Sequence, residues 1–328
     1  MDHSQRLHKC LASEPVDRPP VALWRHFPVE DQDPGLLAKS IVTFQETYDF
    51  DLVKITPASS FCLKDWGLRD EWRGNPEGTR EIIDFPIKKP EDWLKLHPLD
   101  DKDHGLSTQL ECIRFVKDQL SKNTPIIQTV FNPLSQAKNL VGKNNLVTHI
   151  RLYPELVKNA LRIITDSTIN FLHSMAPLGI DGIFYALQHA QAGLLSIKEF
   201  EEFSLPYDLE ILGYCKDYWL NVLHIHGENL YFDKITNYPC QVFNWHDQQT
   251  SPDLATAKLK FSGAVCGGLR QWETLVNGTP KDVAEEAKIA IEVTSGKRFI
   301  LGTGCVLPIT SPHSNILATR KAVDMVKQ

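Results

Sequence analysis

Short apolar runs alternate along the chain with longer stretches whose apolar positions recur every three or four residues. The short runs are VALWR (21–25), DLVKITP (51–57), IIQTVF (126–131), GIFYA (182–186), LNVLHIHG (220–227), QVFNWH (241–246), GAVCGGL (263–269) and FILGTGC (299–305). Such continuous runs are expected of strands buried on both faces, as in a parallel sheet. The intervals between them carry helix signals. A helical stretch runs from Leu36 to Tyr48, and a long amphipathic one from Leu152 to Met175. Ser196 and Glu199 fit a capping box, and Thr279-Pro280 opens another helix with an N-cap and an N1 proline. Ser314 to Lys327 is expected to close the chain as a helix.

Eight strands, each followed by a helical excursion, is the count of a (β/α)8 TIM barrel. A doubly wound α/β sheet would usually show a Gly-rich first turn, and VALWRHFP has none. The interval 67–122 is long for one crossover. Within it GNPEGT reads as a turn between DEWR and TREIID, which predicts a hairpin insertion after strand two, near the barrel mouth. No linker or low-complexity tract divides the sequence, so residues 1–328 are read as a single domain.

Composition narrows the partners. The net charge is −6, which favours neither nucleic acid nor an anionic membrane surface, and no apolar run is long enough to span a bilayer. The first residues lack the apolar core of a signal peptide, and seven scattered cysteines fit a reducing compartment. The expected setting is therefore cytoplasmic, the partner a small-molecule substrate, and a symmetric homodimer the default assembly.

In a (β/α)8 barrel, chemistry gathers at the C-terminal ends of the strands. Those ends offer Arg25 and His26, Lys54, Asn132, Tyr185 and His189, His224 and His226, His246, and Cys305. Period-two alternation puts His224 and His226 on one face of the fifth strand. Cys305 follows Gly302 and Gly304, which allow close backbone approach. Two imidazoles and a thiolate are a three-ligand set with an open fourth position, the pattern of a catalytic Zn2+ site. The competing reading is that these histidines are hydrogen-bonded core residues. Arg25, His26, Asn132, Tyr185, His189 and His246 are candidate substrate contacts. Lys54, in an apolar strand, is either a substrate-facing cation or a partner of a buried acid, with pairing preferred. Cys266 reads as core.

Several segments, RPPVALWRHFP, YDFDLVKITP, TVFNPLSQA, QAGLLSIKEFEEFSLPY, HIHG and GTGCVLPITSP, carry a resemblance to the uroporphyrinogen decarboxylase superfamily, which also contains cobamide- and zinc-dependent methyltransferases. The resemblance implies the barrel fold. It also shows departures from the decarboxylases. Their first strand end resembles RQAGRY with two arginines, whereas RHFPVE here keeps Arg25 alone. Pro57 or a neighbour stands where they carry an aspartate, and Ala190 or a neighbour where they carry a serine. A substrate rich in carboxylates needs several cations. The methyltransferase branch has a metal pattern similar to H-x-C…C, which here becomes His224-x-His226…Cys305. With zinc this set carries a net positive charge where a His/Cys/Cys set is neutral. It would lower the pKa of a bound thiol further and make the thiolate a poorer nucleophile. The resemblance thus implies methyl transfer from a corrinoid, free or on a separate corrinoid protein, or from a methylated small molecule, to a thiol or similar acceptor. A metal-free decarboxylase of a smaller carboxylate and a non-catalytic ligand-binding barrel are the alternatives.

Overall fold

Seven of the eight apolar runs form one parallel sheet in the computed structural model, which describes residues 1–325. The strands are β1 (Val53–Ile55), β2 (Arg69–Glu71), β3 (Glu81–Asp84), β4 (Ile126–Phe131), β5 (Gly182–Leu187), β6 (Val222–Ile225), β7 (Val242–Trp245), β8 (Ala264–Leu269) and β9 (Phe299–Thr303). The order is β1-β4-β5-β6-β7-β8-β9, with every neighbouring pair parallel. Every residue of these seven strands is buried, which is why their sequences read as unbroken apolar runs.

The first apolar run departs from expectation. Residues 21–25 make two isolated bridges, Val21 to Leu301 and Arg25 to Leu307, instead of a ladder. Pro19 and Pro20 precede the run and supply no N–H. Several of its backbone groups are still paired. Ala22 N donates to Leu301 O, Leu307 N donates to Trp24 O, and on the other side Asp51 N donates to Val21 O. The segment therefore touches β9 on one flank and the entrance to β1 on the other.

β2 and β3 form the expected hairpin, antiparallel and separate from the main sheet. It is shorter than DEWR and TREIID suggested. Its turn is seated where Gly78, at φ +76, passes so close to His26 that a Cβ would lie 2.7 Å from the His26 Cβ.

The helices follow their capping signals. Asp33 caps Pro34–Tyr48, Ser196 and Glu199 form the capping box of Ile197–Phe203, and Thr279 and Asp282 form that of Pro280–Thr294. The long helix expected from Leu152 divides at Tyr153, and Pro154 starts Pro154–Met175 after the helix Lys143–Leu152. Proline at the first helical turn lacks only an N–H that would have had no partner. The closing helix is described over His313–Met325, and the end expected for it at Lys327 lies outside the described residues. Among the described residues no helix is long and apolar enough to cross a membrane.

Below the sheet, the fully buried Asp51 carboxylate accepts from Arg6, Arg18, His3 and the Val21 amide, which ties the N-terminal segments to the start of β1.

Candidate metal centre and substrate cavity

β6 and β7 run in register so that His224 pairs with Asn244. The Asn244 amide is fixed by its own donors, because Nδ2 donates to Cys266 O and Thr303 O, both at 2.9 Å. Its Oδ1 is therefore an acceptor, 2.7 Å from His224 Nδ1. The hydrogen of His224 then sits on Nδ1, and the lone pair of Nε2 faces the opposite way. That Nε2 lies 3.6 Å from Cys305 Sγ. Cys305 reaches this point because the chain after β9 passes β7 very closely. A Cβ on Gly304 would stand 2.6 Å from His246 Cα and 2.7 Å from Trp245 O, so only glycine fits.

One ligand atom each from His224, His226 and Cys305 lie within 4.8 Å of one another. Burial, reinforced by the neighbouring imidazoles, holds His224 well below the ordinary histidine range, and burial with the charges of His246 and Lys138 brings His226 down to about 4. Both rings are neutral near pH 7 and offer lone pairs. Burial pushes the Cys305 thiol up to about 11, with Glu77 adding to the rise and Lys54 opposing it. Two neutral imidazoles and a thiol that gives up its proton on metal binding, with no carboxylate among the three, are a donor set suited to a borderline-soft cation such as zinc. The oriented tautomer of His224 is the kind of support that metal-binding histidines use. The residues present fit the ion.

The three donors open on a cavity of about 630 Å³. Trp24, Lys54, Thr129 and Phe184 line it, as do Glu77, Thr79, Arg80 and Ile82 from the hairpin and its turn. The Phe184 ring stacks on His224 at a centroid distance of 5.2 Å, and Lys54 Nζ lies 4.5 Å from the centre of that ring. A surface groove of about 700 Å³ beside Tyr231, Gln249 and Asp253 is larger, but neither imidazole nor thiol lines it.

The other candidate residues divide. His26 lines the cavity with a buried Nδ1 that has no partner among the described residues. Lys54 corrects the pairing expectation: its Nζ donates to Thr56 Oγ1 at 3.0 Å, and it enters no ion pair among the described residues. An apolar strand gave no hint of this, because the open volume in front of Lys54 is made by other segments. Burial brings its pKa down to about 7. His189 lines an adjoining cavity of about 420 Å³ that shares His226. His246 places Nε2 3.4 Å from His226 Nδ1 and is oriented by Gln249.

Of the candidates, His189 and His246 lie beside the cavity rather than in its lining, and three more are brought to neither the donors nor the cavity. Arg25 lies over the Phe27 ring and bonds the His26 carbonyl. Asn132 caps the helix Pro133–Val141, and its Nδ2 donates to Ser204 and Asp208. The Tyr185 hydroxyl donates to Asp208 at 2.7 Å. Alternation explains Tyr185, since it flanks Phe184 and so faces the helices. Sequence reading overlooked Asn244, Glu77, Lys138 and Lys143. For Asn244 a signal existed, a polar residue inside the apolar run VFNW facing the same side as the catalytic candidates.

Residues 2–326 match the family described as Uroporphyrinogen decarboxylase (URO-D). Among curated relatives, the methylcobamide:CoM methyltransferase MtbA of Methanosarcina acetivorans is 25% identical over 98% of this chain and 97% of its own. The uroporphyrinogen decarboxylase of Corynebacterium diphtheriae is 26% identical over 56% of this chain and 53% of its own. A solved methyltransferase from Methanosarcina mazei superposes with a TM-score of 0.82 at 20% identity, covering 99% of each chain. With the match spanning nearly its whole length, this chain belongs to the uroporphyrinogen decarboxylase (URO-D) family.

Proposed function

We propose that this protein is a zinc-dependent methyltransferase that passes a methyl group from a corrinoid, or another methylated small molecule, to a thiol or similar acceptor. The observation that carries the reading is the convergence of His224, His226 and Cys305 at the mouth of a cavity large enough for a small acceptor. Full-length similarity to methylcobamide:CoM methyltransferases supports the corrinoid as donor. The barrel belongs to the same reading. Residues 21–25, hydrogen-bonded to β9 and to Asp51, would be the eighth stave of a single (β/α)8 domain, and the β2–β3 hairpin an insertion that roofs its mouth.

His224, His226 and Cys305 would hold the zinc ion. Bound there, it would supply Lewis acidity that lowers the pKa of an acceptor thiol toward neutrality. The protein's own residues do the rest. Asn244 locks the His224 tautomer. Phe184 packs flat on the His224 ring and shields it from water. Lys54 and His26 present donors to whatever enters the cavity. The hairpin brings Glu77 over Cys305, near enough for its charge to act on the thiol. The acceptor sulfur takes the methyl carbon, and the bonding pair stays with the donor.

A metal-free lyase would rely on Arg25 to orient a carboxylate, and Arg25 lies outside the cavity lining. The discriminating assay incubates zinc-loaded protein with methylcobalamin and a panel of small thiols. Loss of the methyl–cobalt absorbance with formation of the methyl thioether is expected. Absence of thioether, with carbon dioxide released from small carboxylates, would replace methyl transfer with decarboxylation.

A further inference from the structure

Lys54 sits in β1 between Val53 and Ile55, and all three residues are buried. Its side chain lines the same cavity that His224, His226 and Cys305 face. A lysine at 6% exposure is expected to have a carboxylate against it. Among the described residues Lys54 enters no ion pair, and its hydrogen bond goes to the Thr56 hydroxyl. Aromatic rings make up much of the rest. Nζ lies 4.5 Å from the centre of the Phe184 ring and 5.8 Å from that of Trp24. Such rings stabilise an ammonium by less than the loss of water destabilises it.

The groups that share the cavity do not restore the balance. His26, His224 and His226 are held neutral by burial. Arg80, Lys138 and Lys143 are cations, and Glu77 and Glu81 pair with Lys54 at neither carboxylate. Only Cys305, when ionised, favours the charged amine, and burial outweighs it, which leaves Lys54 at about 7. Much of Nζ is therefore a free amine with a lone pair near neutral pH. Two further atoms point to a polar guest on this wall. Trp24 Nε1 and His26 Nδ1 are buried, and neither has a hydrogen-bond partner among the described residues.

A thiol that accepts a methyl group must lose its proton, and the scheme above leaves the destination of that proton open. We propose that Lys54 Nζ takes it. The assignment rests on the methyltransferase reading. As the sulfur enters the space in front of the three donors, the S–H bond breaks, its electron pair stays on sulfur, and a new N–H bond forms on Nζ. The resulting ammonium keeps the Phe184 ring and the Thr56 hydroxyl, and gains the thiolate as counterion. Lys54 and Cys305 already lie near enough for the charge of each to act on the other, so Nζ is within range of a sulfur placed between them. Once the sulfur carries the methyl group it is a neutral thioether. The ammonium then has no counterion and returns its proton to water as the product leaves.

The test counts protons, with full-length, zinc-loaded protein and no methyl donor. 2-Mercaptoethanol, a neutral thiol, is titrated by calorimetry in two buffers of different ionisation enthalpy, at about pH 8, where the thiol is still protonated. The wild type should release little proton to the buffer, because Lys54 keeps it. Lys54→Met should release about one proton per thiol bound. Lys54→Arg should also release about one, since a guanidinium holds its positive charge but has no lone pair to take a proton. Equal counts in the wild type and both variants, with thiol still bound, would overturn the assignment and leave the methyltransferase reading standing. A wild type that binds no thiol would remove both. A second measurement needs neither zinc nor a variant. Trace acetylation of metal-free wild type with acetic anhydride, read at Lys54 by mass spectrometry, should be half-maximal near the value of about 7. Exposed lysines should reach theirs near about pH 10. A Lys54 profile that coincides with theirs would overturn the assignment whatever the calorimetry gives.

Discussion

Asn244 is the residue on which the chemistry of the site turns. Its two Nδ2 donors are committed to backbone carbonyls, so it can only accept from His224, and this fixes which imidazole nitrogen faces Cys305. Asn244→Leu removes the acceptor while keeping the volume. Zinc affinity should fall about tenfold to a hundredfold, the usual cost of losing such a support. A competition titration against a chelator measures it; an unchanged affinity would mean that the tautomer is not set by Asn244. At this scale the sequence was legible where spacing alone decides direction, as for His224 and His226. It was not legible where burial requires knowing the neighbours. Asn132 and Tyr185 sit at strand ends like the true cavity residues, yet both turn to Asp208, which comes from a helix far along the chain.

At the scale of elements, helices were legible from their caps, because a cap is a local hydrogen bond between residues three apart. The strands were legible from their unbroken apolar runs. The run at 21–25 was not, since bridge and ladder differ in partners that lie at 301 and 307. The hairpin lines the cavity, and its turn rests on His26 through Gly78. Gly78→Ala would both force a side chain into the left-handed region and press on His26. The strain should cost about 1–2 kcal/mol, and the hairpin should yield first. Faster backbone amide exchange over residues 69–84 is expected, with strands β4 to β9 unchanged. Exchange that rises uniformly through the sheet would contradict the hairpin's role as a separate lid.

For the whole molecule, the buried Asp51 clamp joins the N-terminal helix, Arg18 and the first extended run to β1. Burial alone would raise this carboxyl. The hydrogen bonds from His3 and Arg18 and the charges of Arg18 and Arg6 outweigh it and bring its pKa down to about 2. A carboxylate whose folded pKa is depressed stabilises the fold fully above its unfolded value of about 3.9 and loses that contribution as pH falls through the folded value. The expected loss is on the order of 2 kcal/mol between about pH 4 and pH 2. Asp51→Asn should therefore melt well below the wild type at pH 7, with the gap narrowing across that acid window. A gap that stays constant with pH would show that the clamp acts through packing alone.

His224, His226 and Cys305 are expected to bind a metal ion. Metal content by mass spectrometry of the purified protein, beside His226→Ala and Cys305→Ala, tests it most directly. About one zinc per chain is expected in the wild type, and a strong loss in both variants while their circular dichroism stays native. A wild-type protein that remains free of metal after zinc reconstitution, or variants that keep it in full, would contradict that expectation.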